Sequence, residues 1–356
     1  MALKNNLLLS TLIYFSLFSQ LYGKIELHEL LTKQEITNIR LITKDGKFTY
    51  YQKRSGDFLL STSYKVNEIL KGIPGTDYEV FSTFARKKIL ITQNFNKHDY
   101  YSIRGKLKIF VTDFGGTVAK EIGAGVNPQL HSEDNWVTYF DPFLKKIHIE
   151  NIENKTLHFS IKLNNEINPY FVPNIVMSNN DLIYYTDLNE EGIPGLFEFN
   201  KSINKSSLLY KGESSMEKIE LLNCQGALFF GTFGIKNSNL GSKIFKVDFK
   251  NFDFQKKEII YSSENNDSGN LQCLFNNNEI AFIKNTGIKN IKSEDVFKYN
   301  FLEKKIFQLS DLKTVTNYIN MDGLLLIQDK GKYLVIDGET DYKSIDNLNY
   351  KKESKP

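Results

Sequence analysis

One short pattern recurs seven times along the chain: two turn-forming residues followed by a six-residue apolar strand. The second turn residue of each copy lies at position 46, 87, 135, 181, 226, 279 or 323, so successive copies are 41, 48, 46, 45, 53 and 44 residues apart. The strands read KFTYYQ, KILITQ, WVTYFD, LIYYTD, ALFFGT, IAFIKN and LLLIQD. A repeat of this length that is carried by strands is typical of a β-propeller.

Each copy also has a strand before the turn and strands after it. Many of these alternate apolar and polar residues, as in KKIHIE at 145–150, and a period of two indicates half-buried strands. We therefore predict an all-β fold, a seven-bladed β-propeller of four-stranded antiparallel blades over residues 24–350. Rings of six or eight blades are the alternatives. Aromatic residues make up 13% of the chain, and we expect most of them to pack between blades.

The two ends of the chain differ from the repeats. Residues 1–23 carry Lys4 and an apolar run over 7–18, which predicts a secretory signal peptide cut after Gly23, or alternatively after Ser19. An uncleaved anchor is the other interpretation, although the apolar run is shorter than the roughly 20 residues that span a membrane. With the signal removed we expect a periplasmic or secreted protein without a transmembrane span. Residues 351–356 read as a charged, flexible tail.

Composition excludes one class of partner and leaves the cysteines open. The 45 basic and 42 acidic residues give a formal net charge of +3, which is not the strongly basic surface of a nucleic-acid-binding protein. The two cysteines are Cys224 and Cys273. Export would permit a disulfide, but Cys224 abuts a tight turn while Cys273 is expected in mid-strand, opposite the position of Glu220. This alignment favours two buried free thiols over a disulfide.

One hairpin resembles a calcium-binding loop in its spacing. The run DLNEEG at 187–192 is followed after five residues by a glutamate, so oxygen ligands would come from Asp187, Asn189, Glu191 and Glu198, with Gly192 at the turn. Glu191 is longer than the usual ligand at its position, and Gly195 stands where an acidic residue is common. An acidic hairpin tip without an ion is the alternative. Calcium is the one cofactor that the sequence suggests.

The connections between strands differ at the two ends of the blades. We expect two-residue turns between all first and second strands, at the end that we call the turn face. The connections between second and third strands lie at the opposite end, the long-loop face, and are long over 94–106, 187–195, 233–242 and 285–294. Elaborated loops on a rigid scaffold commonly carry binding. The loop at 94–106 is rich in aromatic and cationic residues, and its candidate partner-binding residues are Lys97, His98, Tyr100, Tyr101, Arg104 and Lys106.

No pattern of an enzyme active site emerges from the sequence. The histidines show no metal-ligand spacing, and the chain has neither a Gly-x-Ser-x-Gly elbow nor a phosphate-binding glycine loop. His148 and His158 fall on adjacent strands and are candidates for a surface pair. The first strands offer polar residues that would face a central channel: Asn38, Arg40, Glu79, Gln129, His131, Asn174, Glu220 and Gln272.

Three segments within 111–139 resemble a known family, and Asn168-Pro169 with Tyr184–Asp187 has the same layout one repeat later. The runs VTDFGG at 111–116, GVNP at 125–128 and SEDNWVTY at 132–139 are similar to the TolB-type propeller repeat, which has an Asn-Pro approach and a Ser-Pro-Asp-Gly hairpin before an apolar strand. Glu133 and Asn135 replace the Pro and Gly of that hairpin. The resemblance implies a periplasmic propeller of the protein-interaction kind.

These observations lead to one hypothesis of function and two alternatives. The first is an exported, non-catalytic propeller scaffold that binds a protein or peptide partner in the cell envelope. The second is a propeller hydrolase or lyase that acts on a glycan or lactone at the channel mouth. The third is a structural subunit of an envelope assembly.

Overall fold

The fold is described from a computed structural model. The structure describes residues 36–42, 48–53, 57–62, 66–72, 77–81, 88–94, 107–113, 118–131, 135–164, 172–178, 182–224, 226–235, 240–249, 253–274, 279–287, 293–321, 324–329 and 332–337. The signal peptide, the loop at 95–106 and the charged tail lie outside these residues. The predictions made for them therefore stay predictions.

The described strands form seven sheets, in agreement with the seven sequence repeats. Six sheets have four strands and the last has three, and strands follow one another across each sheet in chain order. Among the described residues the one helical element is a 3₁₀ turn at Phe254–Lys256. The all-β class is thus confirmed. Closure of the seven sheets into one ring stays a prediction.

The chain divides into two compact units, Met1–Val80 with Ile91–Gly123 and Phe81–Leu90 with Ala124–Pro356. The first unit holds sheet 1 and most of sheet 2. Sheet 1 consists of β1 Ile36–Ile42, β2 Phe48–Lys53, β3 Phe58–Thr62 and β4 Val66–Leu70. Sheet 2 consists of β5 Asp77–Phe81, β6 Lys88–Asn94, β7 Leu107–Asp113 and β8 Lys120–Ala124.

The second unit holds the remaining five sheets. Sheet 3 consists of β9 Val126–His131, β10 Trp136–Asp141, β11 Lys146–Asn151 and β12 His158–Lys162. Sheet 4 consists of β13 Ile175–Met177, β14 Leu182–Leu188, β15 Pro194–Asn200 and β16 Lys205–Lys211. Sheet 5 consists of β17 Glu217–Cys224, β18 Ala227–Gly234, β19 Ser242–Asp248 and β20 Glu258–Ser263. Sheet 6 consists of β21 Gly269–Cys273, β22 Glu279–Asn285, β23 Glu294–Asn300 and β24 Lys305–Gln308, and sheet 7 of β25 Val315–Met321, β26 Leu324–Asp329 and β27 Lys332–Asp337.

Within the second unit the sheets pack face against face. The first strands of sheets 3 to 7 lie beside one another in chain order, β9 by β13, β13 by β17, β17 by β21 and β21 by β25. The second strands β10, β14, β18 and β22 are largely buried, and all eight residues of β18 are buried. The core lies between sheets: Tyr184 of sheet 4 shares a cluster with Phe230 of sheet 5, and Phe229 of sheet 5 shares another with Phe282 of sheet 6. Aromatic residues therefore fill the space between neighbouring sheets, as expected.

The prediction of a two-residue turn in every blade is wrong. Two residues separate the first and second strands in sheets 5 and 7, but four to six residues separate them in sheets 1, 2, 3, 4 and 6. In sheet 6, for instance, β21 ends at Cys273 and β22 begins at Glu279, so the connection between them spans 274–278. Across this connection Leu274 N donates to Glu279 O. The repeated turn pairs mark where second strands begin, and they do not show where first strands end.

The preference for two free thiols is also wrong, because Cys224 and Cys273 form a disulfide with Cα atoms 5.6 Å apart. Cys224 is the last residue of β17 and Cys273 is the last residue of β21. The longer turn of sheet 6 ends β21 earlier than the repeat alignment suggested. Both cysteines therefore lie at the turn-face end of neighbouring first strands, within reach of each other.

Candidate functional site

The polar side chains of the first strands were the candidate channel groups. In the second unit two of them, Asn174 and Gln272, bind the backbone of a neighbouring first strand. Two first-strand amides that were not candidates, Asn127 and Asn223, bind a neighbouring first strand or the residues just before it in the same way. These side-chain to carbonyl bonds are Asn127 Nδ2 to Pro173 O at 3.1 Å, Asn174 Nδ2 to Ile219 O at 3.3 Å, Asn223 Nδ2 to Met177 O at 3.0 Å and Gln272 Nε2 to Tyr318 O at 2.7 Å. Each bond holds one sheet to the next. The side chains of Asn38, Arg40 and Glu79 lie outside the described residues.

Glu220 is the most engaged of these groups. Its Oε2 accepts from Leu271 N of the next sheet at 2.9 Å, and its other carboxylate oxygen forms an ion pair with Lys218. Glu220 is buried, whereas Lys218 is half exposed. Both oxygens of the Glu220 carboxylate therefore have partners within the fold. Through the bond from Leu271 N, Glu220 helps to hold sheet 6 against sheet 5.

Tyr318 continues this network into sheet 7. Its hydroxyl donates to Asn270 O at 2.5 Å, and its own carbonyl accepts from the side chains of Asn270 and Gln272. Burial, and to a smaller extent the charge of Glu220, raises the pKa of the Tyr318 phenol well above its ordinary value. The phenol therefore stays protonated at neutral pH and acts as a hydrogen-bond donor.

The histidines of sheet 3 do not converge on one site. His131 is buried, and its Nε2 lies 2.7 Å from Thr138 Oγ1. His148 stacks on Tyr139 with ring centroids 5.0 Å apart, and burial lowers the pKa of its imidazole. His148 is opposite Ser160, and His158 is opposite Glu150. The two histidines are thus diagonal neighbours and do not form a directly opposed pair.

The four candidate calcium ligands are described, and the structure separates them. Asp187 is opposite Gly195 on β15, whereas Glu198 is opposite Tyr184. The two positions are three residues apart along the strand, about 10 Å at the usual rise of a strand. Glu191 forms an ion pair of 2.7 Å with Lys211. As arranged, the four side chains do not surround one ion.

The remaining acceptors of this hairpin bind backbone N–H groups. Asp187 is buried, its Oδ2 accepts from Asn164 N at 2.8 Å, and its Oδ1 accepts from Leu188 N at 2.8 Å. Asn189 Oδ1 accepts from Glu191 N and Ile193 N and so fixes the turn. Within the described part of the chain, no three His, Cys, Asp or Glu side chains gather into a group that could hold a metal ion. Calcium binding stays a prediction.

A second set of carboxylates was missed by sequence reasoning. Each carboxylate is bonded at a segment that connects one sheet to the next. It either accepts from a backbone N–H of that connecting segment or itself lies in the segment. The bonds are Gly72 N to Asp57 at 3.2 Å, Asn164 N to Asp187 at 2.8 Å, Glu213 N to Glu217 at 2.8 Å, Asn285 N to Asp267 at 2.7 Å and Leu312 N to Asp295 at 2.7 Å. The five acids occupy different positions in their repeats, so the sequence pattern gives no common signal for them.

The connections on the long-loop face are unequal. Twelve residues join β6 to β7, seven join β18 to β19 and eight join β22 to β23. The corresponding connections in sheets 1, 3, 4 and 7 have two to five residues. The longest connection, 95–106, contains all six candidate partner-binding residues and lies outside the described part of the chain. Their predicted role stays a prediction.

Comparison with solved structures identifies the class of the fold. The chain matches tricorn protease with a TM-score of 0.58 at 10% identity, over 85% of this chain and 33% of that one. It matches the β-propeller domain of Cps50 (Swd1) from Myceliophteria thermophila with a TM-score of 0.53 at 10% identity, over 86% of this chain and 96% of that one. It matches oligogalacturonate lyase from Vibrio parahaemolyticus with a TM-score of 0.50 at 9% identity, over 85% and 89%.

The fold is therefore that of a β-propeller, since the sheets described above agree with these matches. TolB from Acinetobacter baumannii, of the family that the third and fourth repeats resemble, also matches, with a TM-score of 0.42 at 11% identity over 76% and 81% of the two chains. At identities this low, the structural matches with TM-scores of 0.50 or more show a shared fold but no shared activity. No family model and no curated protein sequence matches the chain. No helix among the described residues has the length and apolarity needed to cross a membrane.

Proposed function

We propose that this chain is an exported, non-catalytic propeller scaffold whose long-loop face binds a protein or peptide partner in the cell envelope. The observation that carries the proposal is the difference between the two ends of the sheets. Connections of twelve, seven and eight residues stand on the long-loop face. On the turn face, the connections between first and second strands have two to six residues, and the longest connection between third and fourth strands, β19 to β20, has nine. Loops of this kind on a rigid frame are a common platform for recognition.

The state of the polar groups supports a binding role over a catalytic one. Glu220, Tyr318, Asp187 and Asp267 each hold backbone or side-chain groups of neighbouring segments. A general acid or base must be able to exchange a proton with a substrate. In this chain these groups have partners within the fold, and the loops remain as the adaptable surface.

Export is supported by the disulfide between Cys224 and Cys273. Disulfides persist in oxidising compartments and are rare in the cytosol. Together with the predicted signal peptide, this favours a periplasmic or secreted protein. Sequencing of the native amino terminus is expected to begin near Lys24, and an intact Met1 would contradict export.

The test of binding is affinity capture from an envelope fraction with the immobilised mature chain. Tyr101→Ala combined with Arg104→Ala is expected to weaken capture without lowering the melting temperature, because aromatic and Arg anchors usually dominate interface energies. Asn180→Ala on the turn face is the matched control and is expected to capture normally. Loss of capture with the control alone would contradict the choice of face. Turnover of a glycan or lactone by the purified chain would contradict the scaffold role.

A further inference from the structure

Half of the large apolar side chains that are exposed among the described residues of sheets 3 to 7 lie at one edge of three consecutive sheets. We define the aliphatic rim as Ile203 and Leu208 of sheet 4, Ile259 of sheet 5, and Leu302 and Ile306 of sheet 6. Their exposed fractions run from 39% for Ile306 to 77% for Leu302. Exposed aliphatic residues that recur in one region usually mark a surface that meets an apolar partner.

Two members of the rim are presented by turns of the same construction. Asn200 Oδ1 accepts from Ser202 N and Ile203 N, and Asn300 Oδ1 accepts from Leu302 N and Glu303 N. Each turn then closes through a residue of positive φ, Asn204 at 50° and Lys304 at 53°. These two turns, which join third to fourth strands, thus hold Ile203 and Leu302 exposed at their tips.

The other three members lie on the fourth strands, Leu208 in the middle of β16 and the other two near the turns. Leu208 is opposite Phe197, Ile259 is opposite Phe245 and Ile306 is opposite Tyr299. Ile259 and Ile306 are the second residues of β20 and β24, close to the turns. Sheets 5 and 6 approach each other here, since Lys304 Nζ lies 3.6 Å from Glu258 Oε1. The rim therefore continues from sheet 5 to sheet 6.

Lysines are interleaved with these aliphatic residues. The segments 202–208, 253–259 and 301–306 contain five Lys and three acidic residues, a formal charge of +2. Lys201, at the start of the first turn, is buried against the ring of Trp136 and does not contribute to this surface. The whole chain carries +3, so most of its excess positive charge lies in these segments. Lys205, Lys256, Lys304 and Lys305 are exposed. Aliphatic side chains beside lysines match the interface of an anionic bilayer, where the apolar groups enter the lipid and the ammonium groups meet phosphates.

We propose that the aliphatic rim docks on the surface of a membrane that contains anionic phospholipids. Four of the five rim residues, all except Leu208, lie at the turn-face end of the sheets, because the connections between third and fourth strands open at that end. Docking would thus leave the long-loop face directed away from the lipid. The proposal goes beyond the proposed function and does not depend on the identity of a protein partner.

The test is sedimentation of the mature chain with vesicles of two compositions, phosphatidylglycerol with phosphatidylethanolamine, and phosphatidylcholine alone. Binding is expected with the anionic vesicles and to fall as salt is added. Lys304→Gln with Lys305→Gln is expected to weaken binding by about 30-fold, since each Lys near an anionic surface contributes about fivefold. Leu302→Ser with Ile306→Ser is expected to weaken it by at least about tenfold.

The matched control is Met216→Ser with Ile235→Ser. These residues are exposed to 41% and 44%, lie at the opposite end of sheet 5 and are hydrogen-bonded to each other through their backbones. The control is expected to bind vesicles like the unchanged chain. Melting curves verify that all variants fold, and the lysine pair decides the outcome if the aliphatic pair does not fold.

Three results would overturn the proposal. The first is equal binding to both vesicle types, and the second is unchanged binding by the rim variants. The third is that the chain does not bind vesicles but associates with itself, and that the rim variants abolish this self-association. The last would assign the rim to contact between two copies of the chain. Failure of the loop variants to affect partner capture would contradict the proposed function alone and would leave the vesicle result unchanged.

Discussion

Gly269, the first residue of β21, has a positive φ of 74° and closely approaches Phe233. A Cβ atom at this position would lie 2.7 Å from a ring carbon of Phe233 and 2.9 Å from Glu220 Oε2. Gly269→Ala therefore combines an unfavourable backbone conformation with a steric clash. We expect it to lower the free energy of unfolding by about 3 kcal/mol, measured by urea unfolding.

Gly192 provides the matched control for this substitution. It has the same φ of 74°, but a Cβ atom there would contact nothing within 4 Å. Gly192→Ala should therefore cost only the backbone term, about 1 kcal/mol. Equal losses in the two variants would show that the contact with Phe233 contributes nothing.

Asp187 makes the stability of the fold depend on pH, in a direction that follows from its raised pKa. Burial raises the pKa of this carboxyl to about 6, from its ordinary value of 3.8. The native state then binds more protons than the unfolded state between these values, so the contribution of Asp187 to stability is full below pH 3.8 and is lost as the pH rises through 6. Relative to Asp187→Asn, the unchanged chain should lose at most about 3 kcal/mol between about pH 4 and pH 7.

Urea unfolding of both proteins at several pH values measures this difference. Asp311→Asn, which changes an exposed aspartate, is the control and should follow the unchanged chain at every pH. Parallel stability curves for the unchanged chain and Asp187→Asn would contradict a raised pKa at Asp187.

Calcium binding at the same hairpin is tested by melting in calcium and in chelator. If Asp187 and Asn189 ligate an ion, calcium raises the melting temperature by binding only the native state, and Asp187→Ala removes the rise. In the structure this requires Asn189 Oδ1 to leave the N–H groups of Glu191 and Ile193. Identical melting curves in calcium and in chelator would leave the hairpin without a metal role.

Residue roles could be predicted from the sequence only in part. Asn174, Glu220 and Gln272 were placed on first strands, but their bonds to neighbouring sheets were not foreseen. A carbonyl such as Tyr318 O lies 46 residues from Gln272 along the chain, and no local pattern marks such a pair. The approach of Gly269 to Phe233 has the same cause, since it depends on how two sheets pack.

At the scale of elements, the disulfide joins the first strands of sheets 5 and 6. It closes 49 residues of chain, for which loop-closure entropy suggests a contribution of about 4 kcal/mol. Cys224→Ser with Cys273→Ser should therefore lower the midpoint of urea unfolding, and a reductant should lower the midpoint of the unchanged chain similarly. Labelling of thiols in the unfolded, unreduced chain should find none. Equal midpoints, or two labelled thiols, would contradict the bridge.

Strands were predicted more reliably than the turns between them. Second strands such as β18 and β26 are continuous apolar runs, so composition alone locates them. First strands are more polar and vary more in length, from three residues in β13 to eight in β17. Their ends depend on the turn geometry, which explains why the turn of sheet 6 and the pairing of Cys273 were misjudged.

At the scale of the molecule, the repeat length was sufficient to predict a propeller. A strand-rich unit of 41 to 53 residues buries its apolar faces only against neighbouring units, so the period implies the architecture. The period carries no information about partners, because binding depends on connections that vary between repeats. The function therefore had to be argued from loop lengths and from the state of the polar groups.

The central claim is that the long-loop face carries partner binding. The most direct measurement is hydrogen exchange of the mature chain, free and with its captured partner. We expect slower exchange in the complex at 95–106, 235–241 and 286–293, with no change at 201–204 and 301–304. Slower exchange confined to 201–204 and 301–304 would contradict the claim, because it would place the partner at the turn-face end of the sheets.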